Sequence, residues 1–556
     1  FRKIRKIVVI LLLIQANSSQ AQNIVWQKSF GGSMDDFSSS IKPTSDGGFI
    51  HCGYSISNTS GDKSENTIGS WDYWVVKLDS IGNIQWENTI GGIQEDKIWD
   101  IIETTNGGFL LGGYSKSNIS GDKTDSNCNN YINQGDYWIL KINSFGAIEW
   151  QKALGSCGNE TFSSIEHSSD GGYWASGFTP GNATCDKTST NTATSDPYSC
   201  NPNTNDIWIL KLDSTGNLLY QAGLGRGQWA DEKSRSITST IDGGLIAVSS
   251  SFISTSPAIL SKNEIWITKF NSTCNLQWTK VYGGTGEDIP ACVKLLSDGT
   301  YICGGSSTSD ISGTKTDPSF GSYDFWILKL DSLGNIIWQK SIGGSGSDVL
   351  NYISPTFDNG FICGGSSNSP ISGLKTSANF GQYDYWIVKL DSIGNIEWQR
   401  TIGGSGNDNL STITQLQNGH YLGGGSSNSN ISGNKTIDSK GGYDYWDFEL
   451  DDASNYNLIT GSLYYDFNGN NIKDSSDINL PFGLVKLSNS NRIVFSQADG
   501  SYILPVSDTG SYTVSQIQNN YFQSSTPLSH NATFTGMNQI DSLNDFATTI
   551  LTIEDL

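Results

Sequence analysis

The sharpest chemical pattern in the sequence is a loop rich in side-chain oxygens between Asp466 and Asp477. Oxygen-bearing side chains occupy positions 1, 3, 5, 9 and 12 of this loop, and a main-chain carbonyl is available at position 7. Calcium takes six to eight oxygen ligands from a flexible loop, and this is the spacing of an EF-hand loop. The sequence therefore predicts a calcium site; the alternative is a polar loop without metal. The predicted ligands are Asp466, Asn468, Asn470, Ile472 (through its carbonyl), Asp474 and Asp477.

Two positions of this loop depart from the EF-hand pattern. Asn471 stands where glycine is usual, although Asn tolerates the left-handed backbone that this position needs. Asp477 stands where glutamate is usual and has a shorter reach. The flanking segments have the alternation of strands, so the pattern predicts a calcium loop between strands and not an EF-hand.

The segments around the loop carry a family resemblance. The run from Ile459-Thr460-Gly461 to Asp477, then Leu484-Val485-Lys486-Leu487, then Asp499-Gly500-Ser501-Tyr502, resembles the SdrD B-like repeats of bacterial surface proteins. The resemblance covers residues 457–547 and implies a small calcium-binding β-sandwich that acts as a spacer or stalk. Residues 548–556 would then be a truncated end or a linker.

A second set of candidate residues is acidic and recurs along the chain. An acid ends a Gly-rich loop in each of seven units, at Asp36, Asp96, Glu160, Asp231, Asp288, Asp348 and Asp408. If these acids open the strands nearest the axis of a ring, they would surround one mouth of a channel and offer a cation site. The alternative is that each acid accepts main-chain N–H groups and fixes its own loop.

The units that carry these acids repeat about every 60 residues and have four strand-like segments each. One segment holds an aromatic residue, at Trp26, Trp86, Trp150, Tyr220, Trp278, Trp338 and Trp398. The last segment holds a tryptophan, at Trp74, Trp138, Trp208, Trp266, Trp326, Trp386 and Trp446. Residues that recur at fixed strand positions are expected to pack between neighbouring units and not to bind ligand. Four strands in each of seven units predict a seven-bladed β-propeller over residues 23–452.

The phase of the repeat predicts how the ring closes. The array begins with the strand Ile24 to Phe30 and ends with the strand Tyr445 to Leu450, and each lacks its usual hairpin partner. We expect these two strands to pair, which removes two exposed sheet edges. The meander also puts the Gly-rich loops and the long Ser/Asn-rich loops on one face, the predicted binding face. Units three and four diverge most, so we look for asymmetry there.

Composition and the amino terminus indicate an exported protein. A basic start, an apolar run from Ile7 to Ile14 and small residues near Ala21 predict a signal peptide over residues 1–22. The net charge of -22 disfavours nucleic acid as a partner. No later segment is apolar and long enough to predict a membrane span.

The nine cysteines fall into two groups. Cys52, Cys303 and Cys363 share a position in an apolar strand and are predicted to be small buried residues. Cys128, Cys157, Cys185 and Cys200 lie in long polar loops, and export would permit disulfides among them, with the pairing left open.

The predicted fold class is therefore all-β: a seven-bladed β-propeller of four-stranded blades followed by a small β-sandwich. The propeller repeats are similar to those of large secreted bacterial proteins, many of them exported by the type IX system. We expect a secreted or cell-surface binding or adhesion protein without enzymatic activity, with an extracellular glycan or protein as ligand and calcium as the cofactor. The alternative is a propeller hydrolase or lyase acting on extracellular polysaccharide, although no set of residues is typical of a catalytic site. Clustered acids and aromatics in adjacent units would favour that enzyme.

Overall fold

The computed structural model describes residues 23–128, 134–189, 205–226, 230–253, 262–451, 457–474, 476–480, 483–487, 493–496, 499–506, 509–517, 522–536 and 539–550. The predicted signal peptide, residues 1–22, lies outside them. Every regular element in the described residues is a β-strand. The prediction of an all-β chain is confirmed.

The described residues between 23 and 451 form twenty-eight strands. They are β1 (Ile24–Phe30), β2 (Asp36–Pro43), β3 (Phe49–Ser55), β4 (Asp72–Leu78), β5 (Ile84–Ile90), β6 (Asp96–Glu103), β7 (Phe109–Ser115), β8 (Asp136–Ile142), β9 (Ile148–Leu154), β10 (Thr161–His167), β11 (Tyr173–Thr179), β12 (Asp206–Leu212), β13 (Leu218–Leu224), β14 (Ala230–Ser239), β15 (Leu245–Ile253), β16 (Lys262–Phe270), β17 (Leu276–Tyr282), β18 (Asp288–Leu295), β19 (Tyr301–Ser307), β20 (Asp324–Leu330), β21 (Ile336–Ile342), β22 (Asp348–Pro355), β23 (Phe361–Ser367), β24 (Asp384–Leu390), β25 (Ile396–Ile402), β26 (Asp408–Gln415), β27 (Tyr421–Ser427) and β28 (Asp444–Leu450).

These strands form seven four-stranded antiparallel sheets in the described part of the chain. Six sheets are consecutive, β2 to β5 through β22 to β25, and in the seventh β1 pairs with β28 beside β27 and β26. The predicted pairing of the two terminal strands is confirmed, because Ser29 lies opposite Trp446 and Phe30 opposite Tyr445. The repeated sheets resemble a β-propeller-like repeat fold.

A tight turn joins the last two strands of most sheets. Between β24 and β25, Asp391 accepts the main-chain N–H of Ile393 at 3.0 Å and of Asn395 at 2.8 Å. Gly394 has a φ of 85°, a conformation that only glycine adopts without strain. Asn395 keeps a negative φ, so its contribution is the side-chain bond to Asp391 at 2.9 Å.

Neighbouring sheets pack face to face through the recurring tryptophans. Tyr73 donates its hydroxyl to the Trp138 carbonyl of the next sheet at 3.1 Å, and Tyr445 of the last sheet donates to the Trp74 carbonyl of the first at 3.1 Å. Trp74 and Trp138 are fully buried, and so is Trp386. The prediction that these residues pack between units is confirmed. The inner strand of each sheet (β2, β6, β10, β14, β18, β22 or β26) contacts the next one, and β26 contacts β2.

The C-terminal residues form a separate set of strands. They are β29 (Asn457–Tyr465), β30 (Ile478–Asn479), β31 (Leu484–Leu487), β32 (Ile493–Phe495), β33 (Ser501–Val506), β34 (Gly510–Ile517), β35 (Phe522–Thr526), β36 (His530–Phe534), β37 (Ile540–Asp541) and β38 (Phe546–Ile550). One sheet is built around β29 and the other has the order β32-β31-β34-β36. Both contribute to one core, which includes Ile459, Val485 and Phe546. Strand β38 continues to Ile550, beyond the predicted end of the domain at residue 547.

Candidate functional site

The predicted calcium loop lies between β29 and β30 and folds around Asp466. Asp466 is buried, and its carboxylate accepts the main-chain N–H groups of Gly469 and Asn471, both at 2.7 Å. Asn471 has a φ of 59°, the left-handed conformation expected for the position that glycine usually takes. These bonds wrap the main chain around the first predicted ligand.

The other predicted ligands converge on Asp474. Its Oδ2 accepts the side-chain amides of Asn468 at 2.8 Å and Asn470 at 3.0 Å. Hydrogen bonds from Ser476 lower the pKa of Asp474 most, and those from Asn468 and Asn470 lower it further. Asp477 accepts the main-chain N–H of Asp474 at 2.9 Å. In the described residues no group of three or more His, Cys, Asp or Glu side chains is placed to hold a metal.

The acids of the repeated Gly-rich loops fix those loops. Asp348 is fully buried, and its Oδ2 accepts the main-chain N–H of Gly344 at 2.7 Å and the Ser369 hydroxyl at 2.8 Å. Asp36, Asp96, Asp288 and Asp408 accept a glycine N–H in the same way. Glu160 accepts the hydroxyls of Ser156 and Thr179 instead. These six acids are fully buried and hold their own loops, as the alternative interpretation of the repeat predicts.

In the fourth unit the predicted acid is displaced by one residue. Glu232 and not Asp231 is fully buried, and its main-chain N–H bonds the Asn205 carbonyl at 2.9 Å. Asp348 makes the corresponding bond to Tyr323. Asp231 instead pairs with Lys233 at 2.9 Å. A shift of one residue along a strand moves a side chain to the other face, so Asp231 does not occupy the loop site.

Sequence reasoning missed a second row of buried acids at the start of the last strand type. They are Asp72, Asp136, Asp206, Asp324, Asp384 and Asp444. Their signal was in the sequence, since each lies two residues before a recurring tryptophan.

Each of these acids faces the loop acid of the next sheet. A Cβ on Gly31 would collide with Asp444 Oδ1 and lie 3.1 Å from Asp36 Oδ2. Burial raises the pKa of Asp444 to about 7, and the neighbouring Asp36 adds to this effect. Asp136 faces Glu160, and burial together with that carboxylate raises the pKa of Asp136 to about 8. Each pair therefore favours a state in which only one of its two carboxyls is ionised.

The inner strand of each sheet contains a β-bulge whose extra residue differs from unit to unit. The bulged residues are Ser39, Trp99, Ser163, Arg235, Ala291, Asn351 and Ser411. Bulges re-aim side chains and are common beside functional sites. Trp99 and Arg235 are the large residues at this position, and both are exposed.

Trp99 belongs to an aromatic patch on the face of the Gly-rich loops. The aromatic patch consists of Phe37, Tyr54, Trp71, Trp99 and Tyr443. Ring centroids are 4.9 Å apart for Phe37 and Tyr443, 5.2 Å for Tyr54 and Trp71, and 5.9 Å for Tyr54 and Trp99. Trp99 is 37% exposed, and the other four rings are half-buried.

Two charged residues border the aromatic patch. Lys97 lies 5.1 Å from the ring centroids of both Tyr54 and Trp71 and pairs with Glu95 at 3.0 Å. Although burial opposes it, bonding from Tyr114, Lys97 and Lys116 lowers the pKa of Glu95 to about 2. Glu95 therefore stays ionised at neutral pH.

Arg235 lies in a cavity of about 550 Å³ between the third and fourth units. Its lining includes Lys233 and the amides of Gln134, Asn159 and Asn205. We refer to it as the cationic cavity. It lies on the predicted binding face and in the two units where the sequence predicted asymmetry.

A disulfide lies in the loops of the second and third units. Cys128 bonds to Cys185, with Cα atoms 6.0 Å apart and 57 residues between them in sequence. Cys157 is also disulfide-bonded, and Cys200 lies outside the described residues. Cys52, Cys303 and Cys363 are buried free thiols, as predicted.

Comparison with known proteins gives no family. No protein-family model matches the chain. The regulatory protein FlaEY of Caulobacter vibrioides is 31% identical over 163 residues, which are 27% of this chain and 17% of that protein. The chain thus matches less than a fifth of the length of this relative.

The solved structures that match the chain are only distantly similar. A protein of unknown function from Dyadobacter fermentans has a TM-score of 0.40 and 9% identity, covering 77% of this chain and 99% of its own. The WD40 domain of Neurospora crassa Pan2 has a TM-score of 0.40 and 8% identity, covering 75% and 89%. In the described residues no helix is long and apolar enough to cross a membrane.

Proposed function

We propose that this chain is an exported binding protein without enzymatic activity, whose repeated sheets form a seven-bladed β-propeller that recognises an extracellular glycan. The C-terminal strands form an SdrD B-like β-sandwich that serves as a calcium-stiffened spacer at a secreted or cell-surface location. The predicted signal peptide supports export, and the cyclic order of contacts between inner strands supports the propeller.

The aromatic patch is the observation that carries the glycan proposal. Clustered aromatic side chains that reach the protein surface, as Trp99 does here, are typical of binding sites. An aromatic ring presents a flat apolar face and suits the apolar face of a sugar ring. Serine occupies the equivalent bulge in three other units, at Ser39, Ser163 and Ser411, so the sheet does not require Trp99 in order to form.

The charged residues beside the patch favour binding over hydrolysis. A glycosidase needs one carboxyl that keeps its proton near neutral pH and a second that is ionised. Glu95 is held ionised and cannot donate a proton. Glu95 is therefore a structural partner of Lys97, and this role supports binding rather than proton transfer by Glu95.

The spacer would hold calcium through the loop between β29 and β30. The ligands would be the side chains of Asp466, Asn468, Asn470, Asp474 and Asp477 and the carbonyl of Ile472. Asn468 and Asn470 can turn their amides to present oxygen to the ion in place of their bonds to Asp474. Calcium would then cross-link a loop that otherwise depends on hydrogen bonds alone.

The test is a glycan and matrix-protein binding screen with the full chain, the Trp99→Ser variant and a control. Trp99→Ser installs the residue found at three equivalent bulges, and we expect it to weaken glycan binding about 30-fold. The control is Phe145→Ser, because Phe145 is 84% exposed in a turn on the opposite face and should not contribute. Glycan binding that Trp99→Ser leaves unchanged, binding to proteins alone, or turnover of a polysaccharide would each overturn the proposal.

A further inference from the structure

Arg235 is an uncompensated cation in a strongly acidic chain. The structure gives its guanidinium no hydrogen bond and no ion pair within the described residues. The Arg235 side chain reaches solvent through the cationic cavity. The protein around it removes part of its hydration, and this desolvation lowers the pKa of Arg235. An arginine that is partly desolvated without a counter-ion is unfavourable unless something else supplies the negative charge.

Other cations of the inner strands are compensated. Lys42 pairs with Asp100 at 2.6 Å. Lys294 lies 4.9 Å from the Tyr352 ring centroid, and the electrostatic attraction of Tyr352 and then Glu166 raises its pKa despite burial. The contrast with Arg235 shows that the chain supplies partners for inner-strand cations elsewhere.

The repeat shows that the fold does not require arginine at this position. Ser39 donates its hydroxyl to the Ile98 carbonyl of the next sheet at 2.8 Å, and Ser163 donates to the Ser234 carbonyl at 2.7 Å. Asn351 makes the equivalent bond to Leu410 at 2.6 Å. Arg235 makes no such bond and instead lines two adjoining cavities, of about 550 and 430 Å³.

The rest of the cavity also suits an anion. Lys233 adds a second positive charge, which Asp231 already balances, and Asn205 donates to Asp231 at 2.6 Å. Asn159 accepts the Gly135 N–H through its Oδ1 at 2.8 Å, and within the described residues its amide N–H groups have no acceptor, so they can donate to a ligand. A planar guanidinium matches carboxylate and sulfate oxygens in two parallel bonds.

We propose that the cationic cavity binds the carboxylate or sulfate group of an acidic saccharide, with the Arg235 guanidinium as the principal contact. This inference rests on the proposed glycan-binding function and names the class of glycan. The aromatic patch lies on the same face and supplies contacts for sugar rings. Its Trp99 occupies in the second unit the bulge position that Arg235 occupies in the fourth. The net charge of -22 repels dense polyanions, so widely spaced anionic groups suit the site better than nucleic acid or a polyglutamate chain.

The experiment is calorimetric titration of the full chain with four probes. These are a uronate oligosaccharide, its carboxyl-reduced neutral counterpart, a sulfated oligosaccharide and polyglutamate. The unmodified chain is compared with Arg235→Ser, Arg235→Lys and Lys280→Ser. Arg235→Ser places at the bulge the residue of three other units, and its thermal midpoint verifies that it folds. Lys280→Ser removes one positive charge from β17, the strand at the other edge of the same sheet.

We expect Arg235→Ser to weaken binding of an anionic oligosaccharide about 10- to 100-fold, the usual effect of losing a charged hydrogen bond. The affinity of Arg235→Lys for the anionic oligosaccharide should lie between those of the unmodified chain and Arg235→Ser, because lysine keeps the charge but cannot form two parallel hydrogen bonds. Neutral oligosaccharide should bind all variants alike, and Lys280→Ser should bind as the unmodified chain does. The uronate and sulfated probes distinguish the two sources of negative charge, and binding of either supports the inference.

The two proposals fail in different ways. If Arg235→Ser binds anionic and neutral saccharides as the unmodified chain does, and Trp99→Ser weakens both, the anion inference is wrong and the glycan-binding function stands. If no saccharide binds the unmodified chain, the proposed function fails and the inference fails with it. Binding of polyglutamate in preference to both acidic saccharides would overturn the saccharide assignment.

Discussion

Replacing Asp444 by asparagine should stabilise the repeated sheets at alkaline pH and change them little at acid pH. Asp444 is fully buried, and its Oδ2 accepts the main-chain N–H of Lys440. Among the described residues, neither its Oδ1 nor Oδ1 of the facing Asp36 has a hydrogen-bond partner. Burial and then Asp36 raise the pKa of Asp444 to about 7. The asparagine oxygen can keep the bond to Lys440, and its amide can donate to Asp36.

The direction of the effect follows from proton binding. An aspartate in an unfolded chain has a pKa of about 3.9. Because the folded state binds the proton more tightly, this carboxyl favours folding below about pH 4, and that contribution is lost as the pH rises through about 7. A shift of about three units corresponds to at most about 4 kcal/mol in the free energy of unfolding. About 1.5 kcal/mol of this is already present at pH 5, which leaves at most about 2.6 kcal/mol between pH 5 and pH 8. Solvent screening reduces it further, so Asp444→Asn should gain about 1–2.5 kcal/mol at pH 8 relative to pH 5.

The assay is urea unfolding of the full chain at pH 5 and pH 8, followed by tryptophan fluorescence. All 17 tryptophans precede residue 447, so the signal reports the repeated sheets. The control is Asp391→Asn in the exposed turn between β24 and β25. Hydrogen bonds there lower the pKa of Asp391 despite slight burial, so this variant should lose stability above pH 4. If Asp444→Asn is equally destabilised at both pH values, Asp444 is ionised in the fold and the reasoning is refuted.

Three further changes test the packing, the disulfide and the calcium loop. Trp386→Ala should lower the free energy of unfolding by about 3–5 kcal/mol in the same urea assay, because the ring is fully buried between sheets; a loss below about 1 kcal/mol would contradict this role. Replacing Cys128 and Cys185 together by serine should cost about 4 kcal/mol, the value expected for closing a loop of 57 residues, and unchanged unfolding would show that the bond adds no stability. Calcium titrated into the full chain should bind at a site that Asp466→Ala removes and Asp499→Asn retains; equal binding to both variants would place the ion elsewhere.

The repeat made much of the architecture predictable. Period-two alternation in segments such as Trp386 to Leu390 specifies strands, and the regular spacing of tryptophans specifies how often the sheets recur. Pairing of β1 with β28 could be predicted from phase alone, because each strand lacked the partner that it has in other units. These local patterns recur in every unit, so misreading the pattern in one unit does not change the predicted architecture.

The candidate site was less predictable, because it depends on contacts between copies. Asp36 and Asp444 are at opposite ends of the array and meet only when the last sheet packs against the first. The fourth unit has two adjacent acids at the predicted position. Sequence spacing points to Asp231, whereas the main-chain bond to Asn205 shows that Glu232 occupies the loop site. The bulges that turn Trp99 and Arg235 toward the binding face have no sequence signature. Their positions become visible only when strand registers are compared.

The seven bulges act as a substitution series carried within one chain. Serine at this position bonds the main chain of the next sheet, as Ser411 does with the Ser38 carbonyl at 3.0 Å, and alanine at Ala291 shows that the sheet also forms without that bond. Formation of the sheet therefore depends little on the identity of the bulged side chain. Trp99 exposes a large apolar ring, and Arg235 exposes a charge that has no partner in the described part of the chain. Neither strengthens the sheet. Both lie on the loop face, and a ligand that takes up the ring and the charge together is the simplest physical reason for keeping them.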